Sequence, residues 1–456
     1  MILILLFGLF IQDGLALPSD RSLNVGRESR YSGYKVLAVI PNTKEQVSWL
    51  AEFKGNPSLN CSLDWWNEPS LPAVTVSLAV NPSCLEDVIQ EFKNEGLSAR
   101  VRIPDLEKVI ALEKNYRFLS QLYRNPDDWN EEVYHNLEEI NKRVDSLVKT
   151  YSEVLTAKTL ATTYEGRKIE VVIVREAGPV NKPVIWIDCG IHAREWISPP
   201  TCLHIIDRLI DSVNSVDPKE NLLAVYDFYI LPVANPDGYA YTWSTDRMWR
   251  KNRKPNPGAN NLQSPFFGWN GNQNQKCDGS DPNRNFPIHF NEASNNPCDG
   301  SFRGETPFSE AEAQAVRNGV QQMLDVYGKN KIAAFITIHA NSQLWMSPYG
   351  YTKIHSVDHD DQMKVMKKSV DALGKVFGTE YRYGPISEVI YLASGSSVDW
   401  AYEGAGIKYS YALELRDTGD WGFLLPQEQI KDTASETWIG ITAMAWAIAE
   451  EYGVKV

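Results

Sequence analysis

Two histidines and one glutamate are placed where they could hold a metal ion. His192 and Glu195 are three positions apart, and His339 lies much further along the chain. Zinc in hydrolases takes three protein ligands, often two His and one Glu, and leaves one position for water. The chain has three His-x-x-Glu pairs, and the other two begin at His135 and His289. This spacing alone therefore does not identify a site.

The predicted strands distinguish the three pairs. His192 follows the apolar segment 184–191, and His339 follows the apolar segment 335–338. Ligand sites in open α/β sheets lie beyond the carboxyl ends of strands. We therefore expect the two histidines to meet at one edge of the sheet, with Glu195 beside them.

The other histidines have simpler explanations. His135 is at the start of a predicted helix, where a capping or solvated role is expected, and His289 lies in an irregular stretch. His355 and His359 have the spacing of a helical metal pair, but the residues between them are typical of a loop. We do not predict a metal site from these four residues.

A carboxylate within an apolar strand is the next candidate. Glu414 lies in the segment 409–415, and a buried Glu is costly unless it is paired or functional. Burial would raise its pKa towards the range that a general base needs. The structural alternative is an ion pair with Arg416, which alternation places on the same face of the strand.

Basic residues supply a possible carboxylate site. The chain has a basic run at 247–253, and Asn283 and Arg284 follow a long polar loop, 258–279. Arg presents a planar fork that grips carboxylates with two hydrogen bonds, although a charge run is usually a solvated face. Nucleophile and phosphate-binding motifs are absent from the sequence, and there is no His-Glu-x-x-His pair.

The elements that must position these residues alternate along the chain from about Tyr134. Mostly apolar strands are separated by helices, which predicts an α/β domain with a mixed, largely parallel sheet flanked by helices. The predicted strands are 169–174, 184–188, 228–233, 332–338 and 409–415, and the predicted helices are 199–213, 310–324, 362–377 and 426–452.

A different pattern precedes this region. Residues 31–121 alternate short strands with helices and predict a small α+β domain with antiparallel strands. The polar stretch 123–128 reads as an exposed connector. A trypsin-like protease could cut at Lys114, Arg117 or Arg124, and we favour Arg124 because it lies in the connector.

Composition excludes several classes of protein. The 456 residues include 45 Lys+Arg and 58 Asp+Glu, and the formal net charge of −13 argues against a nucleic-acid binder. The apolar fraction of 43% is enough to build a core. The apolar run Ile2–Ile11 is too short to span a membrane and predicts a signal peptide cleaved after about Ala16. Six cysteines in a secreted chain favour three disulfides, for which 15 pairings are open.

Seven motifs then occur in the order typical of one family. Together they resemble a secreted zinc metallocarboxypeptidase (procarboxypeptidase) of the pancreatic A/B type. The motifs are Gly190–Trp196, Asn235–Gly238, Met248–Lys251, Asn283–Phe286, Ile390-Tyr391, Ser397–Trp400 and Glu414–Gly419.

The resemblance implies an organisation and a function. The organisation is a signal peptide at 1–16, a ferredoxin-like activation segment at 17–124 and a catalytic domain at 125–456. The function is zinc-dependent hydrolysis of the C-terminal peptide bond, with one Zn2+ per chain and a free substrate C-terminus. The protein would be an extracellular monomer, made as a zymogen that a trypsin-like protease activates, with no nucleic-acid or membrane partner.

The resemblance also implies residue roles, and each stays an expectation here. Zinc would be held by His192, Glu195 and His339. Glu414 would be the general base, and Arg250 would stabilise the oxyanion. The substrate's terminal carboxylate would be bound by Asn283 and Arg284, covered by Tyr391 and assisted by Arg194. Disulfides Cys277–Cys298 and Cys189–Cys202 match disulfides of the family, and the second is typical of its B branch. The two remaining cysteines, Cys61 and Cys84, would then form the third disulfide.

Specificity would depend on Val398 at the floor of the pocket for the last side chain. The basic-specific branch has an acid there, so apolar or bulky aromatic ends are favoured. Met346 and Ala412 would form walls, and Ser396 replaces a usual Gly. Ala340 and Asn341 replace a usual Ser-Tyr that lines the subsites before the scissile bond, so the preference there is open.

Three alternatives remain. One is a basic-specific carboxypeptidase of the B type, which an acid elsewhere in the pocket could support. Another is a catalytically silent binding protein that kept the fold. The third is that the free activation segment acts as a protease inhibitor.

Overall fold

The computed structural model describes residues 30–54, 63–122, 129–178, 180, 182–213, 221–257 and 277–451. The predicted signal peptide, the cut at Arg124, Cys61 and most of the polar loop 258–279 lie outside these ranges. Within them, no helix is long and apolar enough to cross a membrane.

The N-terminal unit is a four-stranded sheet with helices. Its strand order is β2-β3-β1-β4 and every neighbouring pair is antiparallel, as the sequence pattern predicted, and the strand-helix alternation is the ferredoxin-like one that the resemblance implied. Its elements are β1 (Lys35–Val39), α1 (Lys44–Lys54), β2 (Leu63–Trp65), β3 (Val76–Val80), α2 (Leu85–Asn94), β4 (Ala99–Ile103) and α3 (Leu106–Leu122).

The C-terminal unit is built on an eight-stranded mixed sheet. The strand order is β11-β10-β12-β9-β7-β8-β6-β5. Its strands are β5 (Leu155–Thr162), β6 (Lys168–Val174), β7 (Val184–Cys189), β8 (Asp227–Leu231), β9 (Ile332–Ala340), β10 (Leu344–Ser347), β11 (Arg382–Pro385) and β12 (Tyr409–Leu415). Its helices are α4 (Leu137–Thr150), α5 (Ser198–Ser212), α6 (Pro236–Ser244), α7 (Ala311–Tyr327), α8 (His359–Phe377), α9 (Ile386–Val389), α10 (Ser397–Asp399) and α11 (Ile430–Glu451).

The centre of this sheet is parallel, and antiparallel pairs lie on either side of it. Strands β8, β7, β9 and β12 run parallel to one another, and β10 runs parallel to β11. The antiparallel pairs are β5–β6, β6–β8 and β10–β12. The prediction of a mixed, largely parallel sheet is confirmed.

Apolar side chains cover both faces of the central strands. Every residue of β7 is buried, which is why this strand reads as a continuous apolar run and not as an alternating one. One face packs against α4, α5, α8 and α11, and the other packs against α7. The core therefore holds the carboxyl ends of β7, β9 and β12 side by side.

Sequence patterns found the buried strands and missed the marginal ones. Strands β2, β5, β10 and β11 were not predicted, nor were helices α6, α9 and α10, whereas α4 corresponds to the helix predicted to start at His135. Strands β2, β10 and β11 have only three or four residues, and β5 is a half-exposed edge strand. Strands of three or four residues are too short for an alternating pattern to be recognised in the sequence.

Disulfides agree with the expected pairing where both partners are described. Cys189–Cys202 ties the end of β7 to α5, and Cys277–Cys298 closes a loop. Cys84 is also disulfide-bonded, while its expected partner Cys61 lies outside the described residues.

Candidate active site

The expected metal ligands converge at the end of β7 and β9. His192 Nδ1 lies 2.8 Å from Glu195 Oε1, and His339 Nδ1 lies 3.1 Å both from Glu195 Oε2 and from His192 Nδ1. All three residues are buried. Gly190 makes the turn that brings His192 here, because its φ is +65° and a Cβ would come within 3.1 Å of Pro199.

A second layer of polar groups orients these ligands. The outer nitrogen of His192, Nε2, lies 3.1 Å from Asp281 Oδ1. His339 Nε2 lies 3.2 Å from Thr337 Oγ1, which donates to Asp188. A carboxylate on the far nitrogen of an imidazole fixes the ring and its tautomer, as in zinc sites.

The donor set fits zinc. Among the described residues this is the one cluster of three His, Cys, Asp or Glu side chains whose ligand atoms lie within 4.8 Å of one another. Burial would raise the pKa of Glu195, but the two imidazoles outweigh it and hold that pKa well below its ordinary value. A charged carboxylate with two imidazoles is the ligand set of catalytic zinc, with room left for a further ligand.

Glu414 lies across from this cluster. On β12 it is in register with His339 of β9. Its Oε2 is shielded from solvent and has no hydrogen-bond partner among the described residues. Burial, and next the charge of Glu195, raises the pKa of Glu414 well above its ordinary value. The alternative ion pair is not formed, because Arg416 binds Glu436.

Two arginines line the same cleft as the metal ligands. Arg250 donates to Asp281 Oδ2 at 2.7 Å, and its Nη1 lies 3.6 Å from Glu195 Oε1. Arg284 donates to the Tyr391 hydroxyl at 3.2 Å. Burial would lower the pKa of Arg250, but Asp281 holds it above its ordinary value, so the guanidinium stays charged.

Asn283 connects the arginine pair to the metal cluster. Its Nδ2 lies 3.2 Å from His339 Nε2, and its Oδ1 accepts a hydrogen bond from the Ser397 backbone at 2.9 Å. These contacts hold the short turn that carries Arg284 against α10, the element that also carries Val398.

The cleft continues into an apolar pocket. Val398 is 1% exposed and belongs to the same apolar cluster as Met346 and Ala412. The neighbouring acid, Asp399, does not line this pocket; its carboxylate accepts from the backbone of Gly350. Apart from Glu195 and Glu414, the lining contains no carboxylate among the described residues.

The N-terminal unit covers this cleft. Asp64 on β2 accepts two 3.0 Å hydrogen bonds from Arg194, the expected auxiliary carboxylate contact. The Trp66 ring packs 5.3 Å from Phe423, and both line the cleft. On α3, Glu113 accepts two hydrogen bonds from Arg247 at 2.6 and 3.0 Å. Acidic side chains of the N-terminal unit thus bind arginine side chains of the C-terminal unit.

Sequence reasoning missed several of these residues. Asp281 was not singled out, although an Asp directly before a turn that carries Asn-Arg is a signal for it. Asp64 and Glu113 had no signal, because their partners lie more than a hundred residues away. The remaining histidines lie outside the site: His289 pairs with Glu292, and the rings of His355 and His359 stack 3.8 Å apart.

Family models match both units. Residues 140–440 match the model described as zinc carboxypeptidase, and residues 37–113 match the carboxypeptidase activation peptide.

The chain belongs to the zinc carboxypeptidase family.

It is a zinc-dependent metallocarboxypeptidase with an activation peptide, as the resemblance implied. Carboxypeptidase A2 of Mus musculus is 36% identical over 416 residues, which cover 91% of this chain and 93% of that protein. Carboxypeptidase B of Astacus astacus is 40% identical over 327 residues, which cover 71% of this chain and 99% of that protein.

Solved structures agree on the fold. Carboxypeptidase A of Helicoverpa armigera has a TM-score of 0.82 at 27% identity and covers 94% of this chain and 100% of its own. Thrombin-activatable fibrinolysis inhibitor has a TM-score of 0.77 at 31% identity, and the match covers 91% of this chain and 98% of that protein's chain.

Proposed function

We propose that this carboxypeptidase removes bulky apolar or aromatic residues from the free C-terminus of peptides and proteins. The observation that carries the proposal is the pocket beside the metal cluster, which has Val398 in its lining and no carboxylate beyond Glu195 and Glu414 among its described lining residues. A Lys or Arg side chain would be desolvated there without a counter-charge, which is unfavourable.

Substrate binding is assigned to residues at the mouth of the pocket. Arg284 and Asn283 hold the terminal carboxylate, and Tyr391 covers it, since its hydroxyl already lies within hydrogen-bond distance of Arg284. Arg194 gives a further carboxylate contact once Asp64 is removed. A substrate without a free carboxylate would leave Arg284 buried and uncompensated.

Catalysis is assigned to Glu414 and Arg250. His192, Glu195 and His339 hold zinc, which when bound acts as a Lewis acid on the scissile carbonyl. Glu414 takes a proton from the attacking water and returns it to the leaving amine as the C–N bond breaks. Arg250 donates hydrogen bonds to the oxyanion that forms on the former carbonyl oxygen.

Activation is assigned to proteolysis of the connector between the two units. We place the boundary of the activation segment at residue 124, with a trypsin-like protease cutting after Arg124 and the catalytic domain beginning at 125. The apolar N-terminal segment and the disulfides favour secretion of the protein, and a single-chain site favours an active monomer.

The test is release of terminal residues from N-blocked dipeptides ending in Phe, Trp, Leu, Lys or Arg, before and after a brief trypsin cut. Chelator-sensitive release of Phe or Trp only after the cut supports the proposal. Release of Lys or Arg instead would establish the basic-specific alternative and reject the argument from Val398. If the trypsin-cut protein releases no terminal residue although zinc is bound, the result would indicate the catalytically silent binding protein.

A further inference from the structure

Besides Glu414, Asn341 is a cleft side chain with a buried polar atom that has no hydrogen-bond partner among the described residues. Asn341 follows His339 by two residues and is 6% exposed, and it lines the same cleft as the metal ligands. Its amide Nδ2 is buried without a hydrogen-bond partner among the described residues. Nearly all buried polar side-chain atoms in proteins have a partner, so this exception calls for an explanation.

The activation unit covers this amide with a hydrocarbon surface. A Cβ added to Gly422 would lie 2.5 Å from the ring of Trp66 and 3.5 Å from Asn341 Nδ2, so the three groups meet at one point. The indole N–H of Trp66 already donates to Asp64 at 3.1 Å. An indole N–H is a donor only, so the ring offers the amide of Asn341 no hydrogen-bond acceptor.

Asn341 lines the same cleft as the pocket for the terminal residue, but a different apolar cluster lies beside it. Its neighbour Trp66 packs with Phe423 in one apolar cluster, whereas Val398 belongs to another. Removal of the activation unit takes Trp66 away and leaves the Asn341 donor in the open cleft. Because Asn341, the metal ligands and Val398 line one cleft, a substrate whose terminal side chain fills the Val398 pocket would place its preceding residues in the part of the cleft that Trp66 vacates.

We propose that Asn341 Nδ2 donates a hydrogen bond to the side chain of a substrate residue that precedes the scissile bond. Asn341 is thus a specificity residue that favours acceptor-bearing side chains, such as Gln, over apolar side chains of similar size, such as Met. This inference rests on the proposed function, because it needs a peptide bound by its C-terminus.

The test uses activated enzyme and N-blocked tetrapeptides that all end in Phe. Gln, Met or methionine sulfoxide is placed at the residue before Phe in one series and two residues before it in another. The side chain of methionine sulfoxide accepts hydrogen bonds but has no N–H to donate. A preference for it can therefore come from a hydrogen bond that Asn341 donates, and not from one that Asn341 accepts. A neutral hydrogen bond corresponds to about a two- to tenfold preference in kcat/KM.

The expected result is that Gln and methionine sulfoxide exceed Met by this factor at one of the two positions. In Asn341→Leu, which keeps the size of the side chain, the ratio falls to about one. The affinities of the same peptides for Glu414→Gln, measured by calorimetry, follow the same order without turnover.

Equal kcat/KM for Gln and Met at both positions would overturn the inference, as would a Gln preference that methionine sulfoxide does not share or that Asn341→Leu retains. The wild-type series decides the matter by itself if Asn341→Leu does not fold. Failure to release Phe from any peptide would instead contradict the proposed function, and the inference would fall with it.

Discussion

At the scale of residues, the carboxylates of the site differ in how they are held. Two imidazoles hold Glu195, and Arg250 and His192 hold Asp281, so that the pKa of each is kept low although burial would raise it. Glu414 Oε2 accepts no hydrogen bond from the residues that the structure describes, and burial raises the pKa of this carboxyl. Environments that push the pKa values of neighbouring carboxyls apart are typical of separate roles in ligation and proton transfer.

Glu414→Gln tests the proton-transfer role. Because the amide cannot accept a proton from water, we expect kcat to fall by about two to four orders of magnitude or more. Zinc content, measured by atomic absorption, should be unchanged because Glu414 is not a ligand. Glu138→Gln on the exposed face of α4 is the matched control. Retention of more than a tenth of wild-type kcat would argue against Glu414 as the base.

Val398→Asp tests the pocket. The new carboxylate would lie among the apolar lining residues of the pocket, so we expect kcat/KM for Phe ends to drop by about tenfold or more while Arg ends become measurable substrates. Val398→Asn has the same shape without the charge and should lose activity on Phe without gaining activity on Arg. Equal gains on Arg in both variants would contradict a charge-based mechanism.

At the scale of elements, the short strand β2 blocks the cleft. Pairing with β3 holds Asp64, Trp65 and the adjacent Trp66 over the site. The Asp64–Arg194 contact is charge-assisted and largely buried, and such hydrogen bonds are worth about 1.5–3 kcal/mol.

Asp64→Ala should therefore weaken the docking of the N-terminal unit over the cleft in the uncut protein. We expect its activity on small peptides before trypsin treatment to rise by about tenfold or more, because each 1.4 kcal/mol is a factor of ten in the open population. The control is Asp87→Ala on the exposed face of α2. Uncut Asp64→Ala that is as inactive as uncut wild type would mean that β2 blocks the site without help from this contact.

The packing of α7 on the sheet gives a stability prediction. A Cβ at Gly319 would lie 2.2 Å from the ring of Trp186, in the interior of β7. Overpacking of this kind costs about 1–3 kcal/mol, so Gly319→Ala should lower the free energy of unfolding by that amount. Denaturant titration measures it, with Gly300→Ala, where nothing lies within 4 Å, as control. Equal stability of both variants would contradict this packing.

At the scale of the whole molecule, the sequence predicts best what is local and buried. The central strands and the placement of His192 and His339 at strand ends follow from apolar runs, and these elements are confirmed. The sheet then brings His192 and His339 together, because β7 and β9 are parallel neighbours. That adjacency depends on the order of strands, which no run of residues specifies.

Contacts between the two units could not be predicted. Glu113 and Asp64 look like ordinary surface charges in the sequence, and they become partners of Arg247 and Arg194 only when the units dock. Asn341 was noted as a departure from a family pattern, but its lack of a partner depends on Trp66, which is 275 positions away in the chain.

The central claim is that this site removes one residue from a free C-terminus. Its most direct test is mass spectrometry of a single peptide ending in Phe, supplied as the free acid and as the amide, with trypsin-activated enzyme. We predict loss of Phe from the acid, abolished by chelator, and no cleavage of the amide. Cleavage of both peptides, or cleavage at internal bonds, would contradict the account.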